Sequence, residues 1–163
     1  MRTRTVVPIL ALLFVAVTIT AAGTLTVNVR DYGAVGDATT KDTAALQRAI
    51  DACSRQGGGT VYLPGGCYLS GSLHLKSHVA LFLDHGAQLL ASPDDEDFDP
   101  YETLPFANAA DHETSFFHFS LIWGEDIEHI AILGSGVIDG HRSRRGGPKP
   151  IALKRCRNII LRD

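Results

Sequence analysis

Two segments of this chain say nearly the same thing twice. His78-Val79-Ala80-Leu81-Phe82-Leu83 runs into Asp84-His85-Gly86 and then Ala87-Gln88-Leu89-Leu90. His129-Ile130-Ala131-Ile132-Leu133 runs into Gly134-Ser135-Gly136 and then Val137-Ile138-Asp139-Gly140, and Asn158-Ile159-Ile160-Leu161 starts a third copy. A strand, a tight turn and a strand, repeated, is the pattern of a β-solenoid. One such coil cannot bury its apolar side alone, so each needs a neighbour stacked upon it. Shorter apolar runs between Gly, Asn, Asp and Ser extend the pattern from Thr60 to Leu75 and again from Ile151 to Leu161.

What precedes the repeats is different. Leu25 to Val29 reads as a strand, and Asp31-Tyr32-Gly33-Ala34 and Gly36-Asp37 break it with turn residues. Ala45, Leu46, Ala49, Ile50 and Cys53 then recur at three- and four-residue steps, which predicts one amphipathic helix over about 42–55, N-capped by Asp42 and ended by Gly57-Gly58-Gly59. Such a helix would close the open end of the solenoid, where apolar side chains and unpaired backbone otherwise meet water. Residues 92–120 fit no repeat. They hold Asp94-Asp95-Glu96-Asp97 and Asp99, then Pro100, Pro105 and the aromatics Tyr101, Phe106, Phe116, Phe117 and Phe119, and read as a long loop leaving one coil.

The formal net charge of −3 leaves no electrostatic footprint for nucleic acid. Arg2 and Arg4, the apolar run from Val6 to Ile19 and the small residues Thr20-Ala21-Ala22 have the layout of a secretory signal peptide over 1–22. The expected mature chain is 23–163, exported to the extracellular space or periplasm, with no membrane association after cleavage. Export makes disulfides possible, and three cysteines leave at least one unpaired. Cys53 and Cys67, closest in sequence, are the pair to test; the other reading makes all three small buried hydrophobes. No Cys/His spacing matches a metal site and no cofactor motif is present.

The entry segment, Val29-Arg30-Asp31-Tyr32-Gly33-Ala34-Val35-Gly36-Asp37 followed by Asp42-Thr43-Ala44-Ala45-Leu46-Gln47-Arg48-Ala49-Ile50, resembles that of pectin-lyase-like β-helix proteins. Gly71 to Val79 with Gly86 to Asp94, Ser120 to Ile127 with Gly134 to Gly140, and Lys149-Pro150-Ile151 with Cys156 to Ile160 resemble glycoside hydrolase family 28, the polygalacturonase family. The resemblance implies an all-β solenoid: a right-handed, single-stranded parallel β-helix with an N-terminal capping helix. It also implies inverting hydrolysis of α-1,4-galacturonosyl bonds in pectic polysaccharide by a protonated and an ionised carboxyl group, in a protein that is monomeric at full length.

The family's Asn-Thr-Asp, Asp-Asp, Gly-His-Gly and Arg-Ile-Lys motifs belong to later coils, and none stands here in that context. Asp94-Asp95 is such a pair by letters only, and Asp84-His85-Gly86 lies in a turn. No catalytic residue is therefore expected within this chain, which reads as an N-terminal segment inactive alone. Asp139 and Gly140 match a structural turn of the family. Where relatives carry aromatics after that turn, this chain has His141-Arg142-Ser143-Arg144-Arg145. His141, Arg144 and Arg145 could meet a polyuronate, since guanidinium matches carboxylate bidentately; a solvated turn is the other reading. The alternatives at the level of function are a pectate-lyase-type enzyme, with Asp94 to Asp99 offered as a Ca²⁺ site, and a non-catalytic carbohydrate-binding β-helix.

Overall fold

The computed structural model describes residues 25–104, 116–141 and 147–162. The expected leader lies outside them, as do Arg144 and Arg145. Twelve strands form three parallel sheets among these residues. The first is built from β1 (Thr26–Asn28), β3 (Gly59–Leu63), β6 (Val79–Leu83), β9 (Glu128–Leu133) and β12 (Arg157–Arg162). The second holds β2 (Asp37–Lys41), β4 (Gly66–Ser70), β7 (Ala87–Ala91) and β10 (Val137–Asp139), and the third β5 (Leu73–His74), β8 (Ser120–Glu125) and β11 (Lys149–Lys154). The chain visits the sheets in turn, so each circuit makes one coil of a parallel β-helix, the fold expected from the repeats.

The register shows why the repeats look alike. Val61, Leu81, Ile132 and Leu161 stack in the first sheet. Tyr68, Leu89 and Ile138 stack in the second, and Leu73, Ile122 and Ile151 in the third. Apart from the exposed Leu161, these residues belong to one apolar core or pack against it. Each fully buried Leu or Ile in it contributes roughly 1.5–3 kcal/mol. Turn glycines let the coils approach. Gly58 and Gly134 adopt φ of +105° and +102°, and a Cβ there would lie 2.3 Å from the His78 carbonyl oxygen and 2.1 Å from that of Leu83. No side chain fits at that distance.

Helix α1 (Thr43–Arg55) seals the first coil. It buries Leu46, Ala49, Ile50 and Cys53 and packs against β1, β3 and β5. Its cap differs from the expectation. Asp42 stands at the N-cap but makes no capping bond with its side chain. It is 1% exposed, and its carboxylate instead accepts the Val35 and Gly36 N–H groups at 2.7 and 2.9 Å. The entry turn, not the helix, takes this anion. A second difference is β2, which sequence leaves as turn and linker. It has no apolar alternation because every residue in it is exposed, and it exists by pairing along β4 through an irregular register.

The pairing of Cys53 with Cys67 is not made: all three cysteines are free. Cys53 is fully buried on the inward face of α1. Cys67 precedes the inward Tyr68 on β4 and therefore points outward, in register with Gln88. The wall of the solenoid separates the two thiols. Burial raises the pKa of both, and the nearby carboxylates Asp139 and Asp42 add to the effect on Cys67.

Candidate functional site on the outer face of the third sheet

Coil geometry leaves one corner free to vary. The connections from first to second sheet are short, as at Pro64-Gly65, 84–86 and 134–136. Those from third to first are turned tightly by Asp126 and Arg155, both at positive φ. The long excursions, 92–119 and 140–148, both leave the second sheet and return to the third. Side chains on the outer face of the third sheet therefore meet residues from the described arms of the longer excursion.

At the centre is Trp123, in register with His74 below and Ala152 above. Its neighbours Ile122 and Gly124 are buried, so the indole faces outward. It lies between two imidazoles, with ring centroids 4.4 Å away at His74 and 4.0 Å away at His118. The indole Nε1–H donates to Asp99 Oδ2 at 2.7 Å, and His74 Nε2 reaches the same oxygen at 2.5 Å. On the other side His118 Nε2 lies 2.8 Å from Glu125 Oε2. Glu125 also meets Lys154 Nζ at 3.2 Å and Arg155 Nη2 at 2.6 Å. Arg155 further grips Asp126 with two contacts of 2.6 Å.

The excursion is fastened to this face by short polar contacts. Ser72 donates through Oγ to the Ser120 carbonyl at 2.8 Å and accepts the Asp99 N–H at 2.8 Å. Glu102 accepts the N–H groups of Phe117 and His118 and lies 3.7 Å from Lys154. The electrostatics follow. Glu125 is held below the usual carboxylate range, first by the His118 hydrogen bond and then by Lys154 and Arg155. Burial opposes charge on Glu102, but its backbone N–H donors outweigh it and its pKa is also lowered. Lys149 and Lys154 flank the Phe117 ring at 5.8 and 5.6 Å.

The residues singled out from sequence fall elsewhere. Asp139 accepts the His141 N–H at 2.8 Å and the Gln88 amide at 3.0 Å, and so shapes the turn out of β10. His141 stands on that turn at φ +38°, at the start of the second excursion. Asp94 and Asp97 share Lys41 at 3.3 and 2.8 Å, and Asp97 also takes the Ser92 hydroxyl. Asp84 is engaged by the Tyr62 hydroxyl. Among the described residues no group of three or more His, Cys, Asp or Glu side chains is placed to hold a metal. Sequence reasoning passed over His74, Asp99, His118, Trp123 and Glu125. Alternation in Leu73-His74-Leu75 marks His74 as outward, but nothing in the spacing joins it to Trp123 or Asp99.

Residues 26–87 match the family model for rhamnogalacturonase A/epimerase, pectate-lyase-like. The chain is 36% identical over 138 residues to the exo-poly-α-D-galacturonosidase of Dickeya chrysanthemi, covering 78% of this chain and 21% of that protein. Among solved structures it is similar to the family 28 exopolygalacturonase of Yersinia enterocolitica, with 38% identity and a TM-score of 0.60 over 72% of this chain and 21% of that one. The exopolygalacturonase of Thermotoga maritima matches at 35% identity and a TM-score of 0.61, covering 71% of this chain and 25% of that one. The chain thus spans about a fifth of the curated relative's length. The resemblance to pectate-lyase-like proteins and to polygalacturonases holds, and with it the parallel β-helix.

Proposed function

We infer that these coils are the opening part of a polygalacturonase-like glycoside hydrolase that cleaves pectic polysaccharide, and that residues 1–22 direct its export. The similarity to an exo-poly-α-D-galacturonosidase across most of the chain carries the reading. Inverting hydrolysis needs one carboxyl group to protonate the leaving oxygen and a second to activate water. The described carboxylates on the third sheet suit neither task. Asp99 is taken up by an indole N–H and an imidazole, and Glu125 by the His118 imidazole and two cationic side chains, Lys154 and Arg155. Their work is to hold the surface in shape and set its charge, so this part of the enzyme contributes scaffold and substrate contact.

The test is reducing-sugar release from polygalacturonate. The chain from Gly23 is assayed alone and also in place of the matching coils of the D. chrysanthemi enzyme. Release by the folded chimera, and none by the chain alone, is the expected result. Release by the chain alone would return the chemistry to Asp94, Asp95 or Asp139. A folded chimera that leaves polygalacturonate intact would count against the reading.

A further inference from the structure

The third sheet begins at β5, whose strand neighbour among the described residues is β8 alone. Backbone groups of successive strand residues point to opposite edges. The Leu75 N–H goes to the Trp123 carbonyl on β8 at 2.8 Å, and the N–H and C=O of His74 face the other way, toward α1. An edge strand leaves such groups without a ladder partner. Here one side chain meets both. Gln47 Oε1 accepts the His74 N–H at 2.8 Å, and Gln47 Nε2 donates to the His74 carbonyl at 3.2 Å. The second hydrogen of Nε2 goes to Asp51 Oδ1 at 3.0 Å. These partners fix the orientation of the amide, because a flip would set N–H against N–H and oxygen against oxygen.

Thr43, one turn earlier on α1, acts in the same way on the chain just ahead, where its Oγ1 accepts the Gly71 N–H at 2.9 Å. Thr43, Gln47 and Asp51 recur at four-residue steps and so form one half-buried stripe along the helix. Between the two anchored points, Ser72 holds Asp99 and the Ser120 carbonyl. At the second point, the His74 imidazole shares Asp99 Oδ2 with the Trp123 indole.

We propose that Gln47 stands in for one residue of a neighbouring strand and that, through the backbone of His74, it positions the junction of His74, Asp99 and Trp123 that fastens the longer excursion to the third sheet. A single carboxamide suffices because it offers the donor and the acceptor that a strand residue would offer. Helix α1 then has two faces with two effects. Its apolar side seals the first coil, and its polar stripe sets the geometry of the outer surface. That this surface contacts substrate rests on the polygalacturonase reading, whereas the placement of Gln47 does not, so each can fail without the other.

The experiment uses the full chain, with backbone amide exchange followed by NMR and the emission of Trp123, its sole tryptophan, as readouts. In the unmodified chain the His74 amide should be protected to the same order as that of Leu75, which bonds to a true strand. Exchange at the rate of an amide open to water would overturn the proposal, and this comparison needs no variant to fold. Gln47→Ala should speed exchange at His74 about tenfold, as expected for the loss of one hydrogen bond, and leave Leu75 unchanged. It should also shift the emission of Trp123 to the red as water reaches the loosened ring. Ile50→Ala weakens the same helix from its apolar side. It should lower the melting temperature yet leave the native emission of Trp123 in place, which separates positioning from general loss of stability. Unchanged His74 exchange in folded Gln47→Ala, equal acceleration of both amides, or an equal emission shift in Ile50→Ala would overturn the proposal. None of these outcomes bears on sugar release, which tests the polygalacturonase reading by itself.

Discussion

At the scale of single residues, Asp42 shows how context reassigns a familiar signal. An Asp one position before a helix reads as its cap, yet its carboxylate is spent on the entry turn, where two N–H groups converge on it at a site with 1% exposure. Removing a buried acceptor leaves both donors without partners, which costs about 1–3 kcal/mol for each group. Asp42→Ala should therefore lower stability by roughly 2–6 kcal/mol, and Asp42→Asn by less, because the amide oxygen still accepts one bond. Thermal melts of the two variants decide the matter. If the capping role were the important one, Asn, an equally good N-cap, would cost nothing measurable.

Among the elements, α1 and the repeats were legible because burial writes a period into sequence. The 3.6-residue spacing of Leu46, Ala49, Ile50 and Cys53 is the seal against the first coil, and the twin segments at 78–90 and 129–140 are the stacked strands β6, β7, β9 and β10. What carries no period stayed hidden. Strand β2 is exposed along its whole length, and its pairing with β4 leaves no apolar trace. The His74–Trp123–His118 cluster was illegible for a different reason: it is assembled across coils, with His74 brought to Trp123 by register and to Asp99, 25 residues on, by the excursion. The long loop was visible in the sequence; its partners on the sheet were not. The seal itself can be checked by substitution. Ile50→Ala should cost roughly 2–5 kcal/mol as a buried truncation, whereas Arg55→Ala on the exposed last turn should stay within about 0.5 kcal/mol. Denaturant melts that failed to separate the two would mean that α1 is not integral to the cooperative fold.

On the scale of the whole molecule, acid stability follows from how the carboxylates are held. Asp37 lies well below its usual range because the backbone N–H groups of Thr40 and Thr39 donate to it. Asp84 is lowered first by the Tyr62 hydroxyl, Glu125 first by His118, and Asp126 first by Arg155. A carboxyl group whose pKa is depressed by folding binds its proton more readily when unfolded. Its stabilisation is thus complete above the ordinary carboxylate value, near 4, and is lost as pH falls through the folded value. The melting temperature should accordingly hold near pH 5 and drop steeply below about pH 4. Salt then separates two physical causes. Asp37 is held by hydrogen bonds from the chain itself, which added ions barely weaken, whereas Asp126 is held by the exposed Arg155 guanidinium, whose field is screened within about 3 Å at 1 M salt. Melts at about pH 3 and pH 5, with and without 1 M salt, should show the acid loss reduced in part. The salt-resistant remainder should shrink in Asp37→Asn and the salt-sensitive portion in Asp126→Asn. An acid loss that vanished entirely at high salt would assign the whole effect to ion pairs and remove the backbone-held Asp37 from the account.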